Sequence, residues 1–289
     1  MNQFENRELT PEEKWENAWL DDAFIFYKVM TENPDICKKL IEVLLNIKIE
    51  KLEIIGEKIM FADFTSKGIR MDIYAKNADK TFDLEIQVLD TKELPERSRY
   101  YQSVIDVDTL KKGEFYSDLK EGHIIFICMK DIFKKERAIY NFENFCEEDK
   151  EIKLNDRTYK HFFIAENYDK IEKETEVKAF LKMLATRKTE TNLAKEIETK
   201  IIKAKTNIDT RRGFMEWDRF IAYQRKDAAD IALKQGVQIG ISQGEHNKAV
   251  EAAKKLIQMH LGTLEQIAQA QGLPLKEVQA LAETLEVRS

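Results

Sequence analysis

Two segments of this chain alternate apolar and polar residues with period two, on either side of a short stretch of turn chemistry. They are Arg70-Met71-Asp72-Ile73-Tyr74-Ala75 and Phe82-Asp83-Leu84-Glu85-Ile86-Gln87-Val88, with Asn77-Ala78-Asp79-Lys80 between them. Residues of one parity share a face of a strand, so Met71, Ile73 and Ala75 take one side while Asp72 and Tyr74 take the other. In the second segment Leu84, Ile86 and Val88 face inward, leaving Glu85 and Gln87 on the polar side. Asn and Asp in the connector favour a tight reversal. A hairpin closed over residues 77–80 pairs Lys76 with Thr81, Ala75 with Phe82, Ile73 with Leu84, and therefore Asp72 with Glu85.

Directly opposed residues have Cβ atoms about 4.5–5.5 Å apart, and two like charges there are destabilising unless something offsets them. A hard divalent cation does so, because Mg²⁺ takes carboxylate oxygens at about 2.0–2.1 Å and keeps several waters. Two acids on one sheet face plus a main-chain carbonyl form half of such a shell and point to metal-dependent phosphodiester chemistry. A surface hairpin with both acids in water fits the spacing equally well.

Of the 289 residues, 43% are hydrophobic and 35% charged, the composition of a folded chain with one sizeable core and an appendage. The longest apolar run, His123 to Met129, is too short to span a membrane, and Met1-Asn2-Gln3-Phe4-Glu5 is polar and acidic. We therefore expect a cytoplasmic protein without a signal peptide. Cys37, Cys128 and Cys146 are too widely spaced for a disulfide framework or a zinc motif, and His123, His161, His246 and His260 lack ligand spacing. Any metal is then expected to be held by oxygen. The net charge of −6 argues against tight nonspecific nucleic-acid binding by the whole molecule.

Along the chain, Thr10-Pro11 with Glu13 marks a helix start by capping box, and Asn33-Pro34 separates a second helix whose apolar face includes Ile36, Leu40, Ile41 and Leu44. Strands are expected at about 50–55, 58–63, 69–76 and 81–89. A charged helix follows from Glu96 to Lys111, and the continuous run 123–129 reads as a strand buried on both faces. Short strands near 138–142 and 159–164 extend the sheet. This order gives an α/β layout with a mixed sheet.

From Lys170 onward the pattern is helical. Residues 200–226 carry eight Lys or Arg against Asp209, Glu216 and Asp218, with Phe214, Trp217, Phe220 and Tyr223 spaced by threes. That pattern suits either nucleic-acid contact or an aromatic stripe packed on the main domain. Gly236, Gly240 and Gly244 recur every fourth residue, which suits close helix packing in an oligomer or a hinge. Thr263 to Leu281 reads as two short helices around Gly272, like a helix-turn-helix, yet Lys276 stands against Glu277 and Glu283, so self-association fits as well. The expected domains are a main domain at 1–185, a helical linker or oligomerisation segment at 186–245, and a small helical tail at 246–289.

Asp72, Glu85-Ile86-Gln87, Arg97-Ser98-Arg99-Tyr100-Tyr101-Gln102 and Ile124-Ile125-Phe126-Ile127-Cys128, in that order, resemble the Rpn family. These are the recombination-promoting nucleases of the PD-(D/E)XK superfamily, which also carry a transposase label. Phe24-Ile25-Phe26-Tyr27-Lys28-Val29-Met30, Asp35-Ile36-Cys37-Lys38, Thr91-Lys92-Glu93-Leu94-Pro95, Ile139-Tyr140-Asn141-Phe142-Glu143 and the glycine-spaced tail extend the likeness to nearly the whole chain.

The resemblance implies a restriction-endonuclease-like core, a mixed sheet flanked by helices, with an all-helical C-terminal region. It implies a Mg²⁺-dependent DNA endonuclease, Mn²⁺ or Ca²⁺ being alternatives, linked to recombination, mobile elements or defence. The alternative is a DNA-binding or oligomerising protein with a degenerate site. Carried over, Asp72 and Glu85 are catalytic metal ligands, the Ile86 carbonyl completes the inner shell, and Gln87 takes the position of the superfamily lysine. Asp22 is the candidate acid from the first helix, although Asp21-Asp22 leaves its register ambiguous. Arg97, Arg99 and Tyr101 follow the catalytic strand as candidate DNA-binding residues, with Arg97 and Tyr101 on one helix face. The implied partners are DNA and further copies of the chain.

Overall fold

The computed structural model describes residues 9–60, 69–88 and 92–286. Met1 to Glu5, the end of the strand expected over 58–63, residue 89 and Thr91 lie outside them.

Helix α1 (Pro11–Asn17) starts as its sequence predicts: Thr10 accepts from the Glu13 amide while Glu13 reaches back to the Thr10 amide. α2 (Ala23–Glu32) ends at Asn33, and Pro34 opens α3 (Pro34–Leu45). Where two strands are expected next, a single strand β1 (Glu53–Met60) runs. The apparent break is Gly56, whose φ of +76° makes a bulge against the next strand and whose missing Cβ leaves room for Thr31 and Tyr27.

β2 (Ile69–Lys76) and β3 (Lys80–Gln87) form the expected hairpin, with Ile73 opposite Leu84, Ala75 opposite Phe82 and Lys76 opposite Thr81. The Asn77 side chain accepts from the Asp79 and Lys80 amides, closing the turn. Helix α4 (Leu94–Thr109) then crosses to β4 (Glu121–Cys128), which lies parallel to β3. β5 (Ile139–Phe142) and β6 (Thr158–Ile164) complete a sheet of order β1-β2-β3-β4-β6-β5, in which β6 runs parallel to β4 and β5 antiparallel to β6.

Helices cover both faces of this sheet. On one, Ile73, Ala75, Phe82, Leu84, Ile86, Ile125, Ile127 and Phe163 pack in a core with α2, α3, α5 (Glu176–Thr186) and α6 (Asn192–Thr206). On the other, Tyr74, Ile124, Phe126, Cys128, Phe162 and Ile164 meet Leu94, Tyr101, Val104 and Ile105 of α4. Double coverage is why β4 is continuously apolar rather than alternating. Gly122, near the start of β4, lets α4 lie close: a Cβ there would stand 2.3 Å from the Gln102 amide. Cys37 and Cys128 are buried free thiols, pushed up to about 12 by burial.

The chain forms two compact units, Met1–Trp217 and Asp218–Ser289. Helix α7 (Ile208–Gln258) is continuous through all three spaced glycines. Within the first unit its Phe214 is buried against Trp15 and Phe24, with ring centroids 5.2 and 5.7 Å apart. That is the aromatic packing expected for the front of the stripe, whereas Phe220 and Tyr223 are exposed. In the second unit α8 (Leu264–Gln271) carries a capping box from Thr263 to Gln266, ends at Gly272 in the left-handed conformation, and gives way to α9 (Leu275–Glu286). Ala253, Ile267, Ala268, Leu273 and Val278 form its small core.

Candidate active site

The hairpin register brings Asp72 and Glu85 together one step beyond the Ile73–Leu84 pair. The two residues interlock through main chain: the Asp72 amide donates to Glu85 Oε1 at 2.9 Å, and the Ile86 amide donates to Asp72 Oδ2 at 3.3 Å. The polar face expected from strand parity is real, but it is not a wet surface. Glu85 is only 2% exposed and Tyr74 only 1%, because α4 lies over them. Val88, expected inward, lies past the strand end and is exposed.

α4 contributes Arg97, whose guanidinium pairs with Glu85 Oε2. Its Nε donates to the Tyr101 hydroxyl at 2.9 Å, one helical turn away, and Nη1 donates to Gln87 Oε1 at 3.3 Å. The same group lies over the Tyr101 ring at 4.9 Å and the Phe126 ring at 5.5 Å. Burial works against its charge, but Glu85 and the Tyr101 oxygen outweigh it and raise its pKa. Tyr101 is held well above the ordinary phenol range by burial and by Glu85. Arg97 and Tyr101 thus share the helix face that periodicity assigns them, while Arg99 is exposed on another.

Asp83 is the residue that sequence reasoning passed over. It shares Glu85's parity on β3, is fully buried, and as a carboxylate meets no hydrogen-bond donor. In its neutral form it can donate to Glu85. Burial first, then the negative Glu85 and Asp72, hold its pKa well above the usual carboxylate range. The signal was present, since Asp83 stands two residues before Glu85 on the same face.

Asp22 has a different task. Its Oδ1 accepts from the Phe24 and Ile25 amides at 2.9 and 3.1 Å as the N-cap of α2. α2 packs in the core on the other face of the sheet from Asp72 and Glu85. The structure brings Asp72, Glu85, Gln87, Arg97 and Tyr101 together and places Asp22 and Arg99 elsewhere.

Two of the histidines that lack ligand spacing in the sequence meet on the sheet. His123 Nδ1 and His161 Nε2 are 3.1 Å apart, flanked by Glu121 at 2.8 Å and Asn141 at 2.7 Å. Ring centroids 5.3 Å apart put the two nitrogens head-on, the geometry of an N–H···N bond with no room for a metal between. Among the described residues no set of three or more His, Cys, Asp or Glu side chains forms a metal-holding group. Asp72, Glu85 and the Ile86 carbonyl fit a hard divalent cation by donor chemistry, and the unsatisfied Asp83 carboxyl beside them shows a surplus of acid. Both Glu85 oxygens, however, already accept hydrogen bonds, one of them from Arg97.

The family profile described as PD-(D/E)XK nuclease family transposase matches residues 24–213. The chain belongs to this family. No curated protein and no solved structure matches it. The matched span of this PD-(D/E)XK nuclease family member contains the whole sheet from β1 to β6, α4, and every residue of the acid cluster. Membership places the chain among nuclease-type hydrolases, which generally use divalent metals. Its sheet and flanking helices agree with the architecture expected from the resemblance. Among the described residues no helix is long and apolar enough to cross a membrane.

Proposed function

We propose that this chain is a divalent-metal-dependent DNA endonuclease of the cytoplasm, acting in recombination, mobile-element movement or defence. The observation that carries the reading is the facing of Asp72 and Glu85 across the β2–β3 hairpin, inside the span matched by a nuclease family. Asp72, Glu85 and the Ile86 carbonyl would hold Mg²⁺, with Mn²⁺ or Ca²⁺ able to substitute. A bound cation supplies an activated water and charge stabilisation for the phosphorane-like transition state.

The chain's own residues do the rest. Gln87 is neutral and can only hydrogen-bond the water or phosphate. Positive charge at the site comes from Arg97, whose planar fork suits a phosphate and is held in place by Tyr101. Exposed Arg99 is suited to a neighbouring phosphate. We assign oligomerisation to the part of residues 186–245 that lies beyond Trp217, because α6 and Phe214 pack in the core of the nuclease domain expected at 1–185, and a helix-turn-helix-like tail to 246–289.

The test is cleavage of supercoiled, linear and single-stranded DNA with Mg²⁺, Mn²⁺ or Ca²⁺. D72N and E85Q should each abolish metal-dependent cleavage while melting near the parent temperature; cleavage that survives both changes removes these residues from the mechanism. The second reading, a degenerate site on a DNA-binding protein, draws on Gln87 in the lysine position. It predicts DNA binding without turnover and no metal-induced rise in melting temperature, whereas a live site gives a rise that D72N removes.

A further inference from the structure

The arginine on Glu85 stands where a cation would need to be. One carboxylate oxygen of Glu85 accepts from the Asp72 amide and the other is taken by Arg97. A divalent ion on Glu85 and a guanidinium on the same carboxylate are like charges a few ångströms apart in a buried site, where repulsion is poorly screened. One must leave for the other to bind. Arg97 is able to leave, because its side chain is 32% exposed while Glu85 is 2% exposed. It also has somewhere to go, since a phosphate oxygen pair matches the guanidinium fork as well as a carboxylate does. Its other tethers carry no charge: two neutral oxygens, Tyr101 Oη and Gln87 Oε1, and the faces of the Tyr101 and Phe126 rings.

We propose that Arg97 is a gate that couples cation loading to nucleic-acid binding. Without substrate it occupies Glu85 and keeps the site poor in metal; a backbone phosphate draws the guanidinium away, and Glu85 becomes free to ligate. This rests on Asp72 and Glu85 being the cation site. By linkage, the factor by which DNA tightens the metal is the factor by which the metal tightens DNA. The arrangement would restrain hydrolysis away from a properly seated strand, and it gives Arg97 a positioning role that a simple phosphate contact such as Arg99 lacks.

The experiment is Mn²⁺ titration by calorimetry of the full chain, with and without a saturating phosphorothioate duplex that resists cleavage. The parent, R97Q, Y101F, E85Q and D72N are compared, with folding checked by circular dichroism. Without DNA, R97Q should bind Mn²⁺ about tenfold more tightly than the parent, a coupling of ordinary size. Y101F, which loses one tether of the guanidinium, should fall between them. The duplex should tighten Mn²⁺ binding by a similar factor in the parent and leave R97Q unchanged.

If R97Q and Y101F bind Mn²⁺ within twofold of the parent while E85Q abolishes binding, the gate is wrong and the cation site stands. If E85Q and D72N bind Mn²⁺ like the parent, the cation site itself is wrong and the gate falls with it. Should R97Q fail to fold, Y101F decides alone: tighter Mn²⁺ binding supports the gate, and unchanged affinity overturns it.

Discussion

His161 tests how far single side chains set the acid tolerance of this fold. Burial, then the neighbouring His123, push its pKa down to about 3, and His123 is lowered by burial as well. The groups around the pair are Glu121 and Lys80 on the His123 side and the neutral Asn141 beyond His161. An unfolded His161 takes up its proton near pH 6.5, whereas the folded ring resists until about pH 3. Between those values the unfolded state binds more protons, so stability is complete above the upper limit and falls as pH drops through the window. H161Q should therefore lose less stability than the parent between pH 7 and 4.5, by about 1–2 kcal/mol once water access to a half-buried ring is allowed for. Urea denaturation at the two pH values measures it, and equal losses in both proteins would exclude His161 as the source. At the site, D72N and E85Q address a different property, the loss of cleavage with the fold retained.

At the scale of elements, α4 fixes what the hairpin can become. It needs close approach to β4, which Gly122 permits: a Cβ there would meet Gln102 atoms at 2.3, 2.4 and 2.7 Å. Gln102 is itself buried and donates to Asp106 at 2.8 Å, so its amide cannot move without breaking that bond. G122A should destabilise the chain by about 1–3 kcal/mol through overpacking, seen as a lower melting temperature, and the companion change Q102A should recover part of the loss. No change on G122A would mean that α4 yields easily. The dependence on α4 also explains how much of the site the sequence could reveal. The facing of Asp72 and Glu85 follows from period two and a short turn, both local, and the observed register agrees. The seating of Arg97 on Glu85 depends on the axial position and rotation of a helix packed across the sheet, which no local pattern encodes. Burial of the polar row was hidden for the same reason, because alternation is also the mark of a half-exposed strand. Asp22 misled differently: an acid before a helix satisfies the capping rule as readily as a catalytic role, and here it caps.

For the whole molecule the deciding element is α7. In the Asp218–Ser289 unit its middle turns carry Gly236, Gly240 and Gly244, where an added Cβ would meet nothing within 4 Å beyond the local backbone of the helix and the adjoining residues. The same turns leave Ile231, Leu233, Val237, Ile239 and Ile241 exposed. Three interior glycines cost a helix roughly 1 kcal/mol each relative to alanine, and helical stability in proteins comes mainly from packing an apolar face. A second copy of the helix would recover that cost, since Ala228, Ala232 and the glycines make a small-residue ridge at four-residue spacing beside Leu233, Val237 and Ile241. An antiparallel pair centred between Gly236 and Gly240 would also set Arg225 level with Glu251. The protein should therefore sediment as an oligomer at micromolar concentration and dissociate on dilution. V237K/I241K should sediment as a monomer, with the melting of the nuclease domain unaffected because these residues lie outside its core. A parent that is monomeric at every concentration would assign the exposed stripe to another partner, and a double variant that still associates would place the contact elsewhere on the chain.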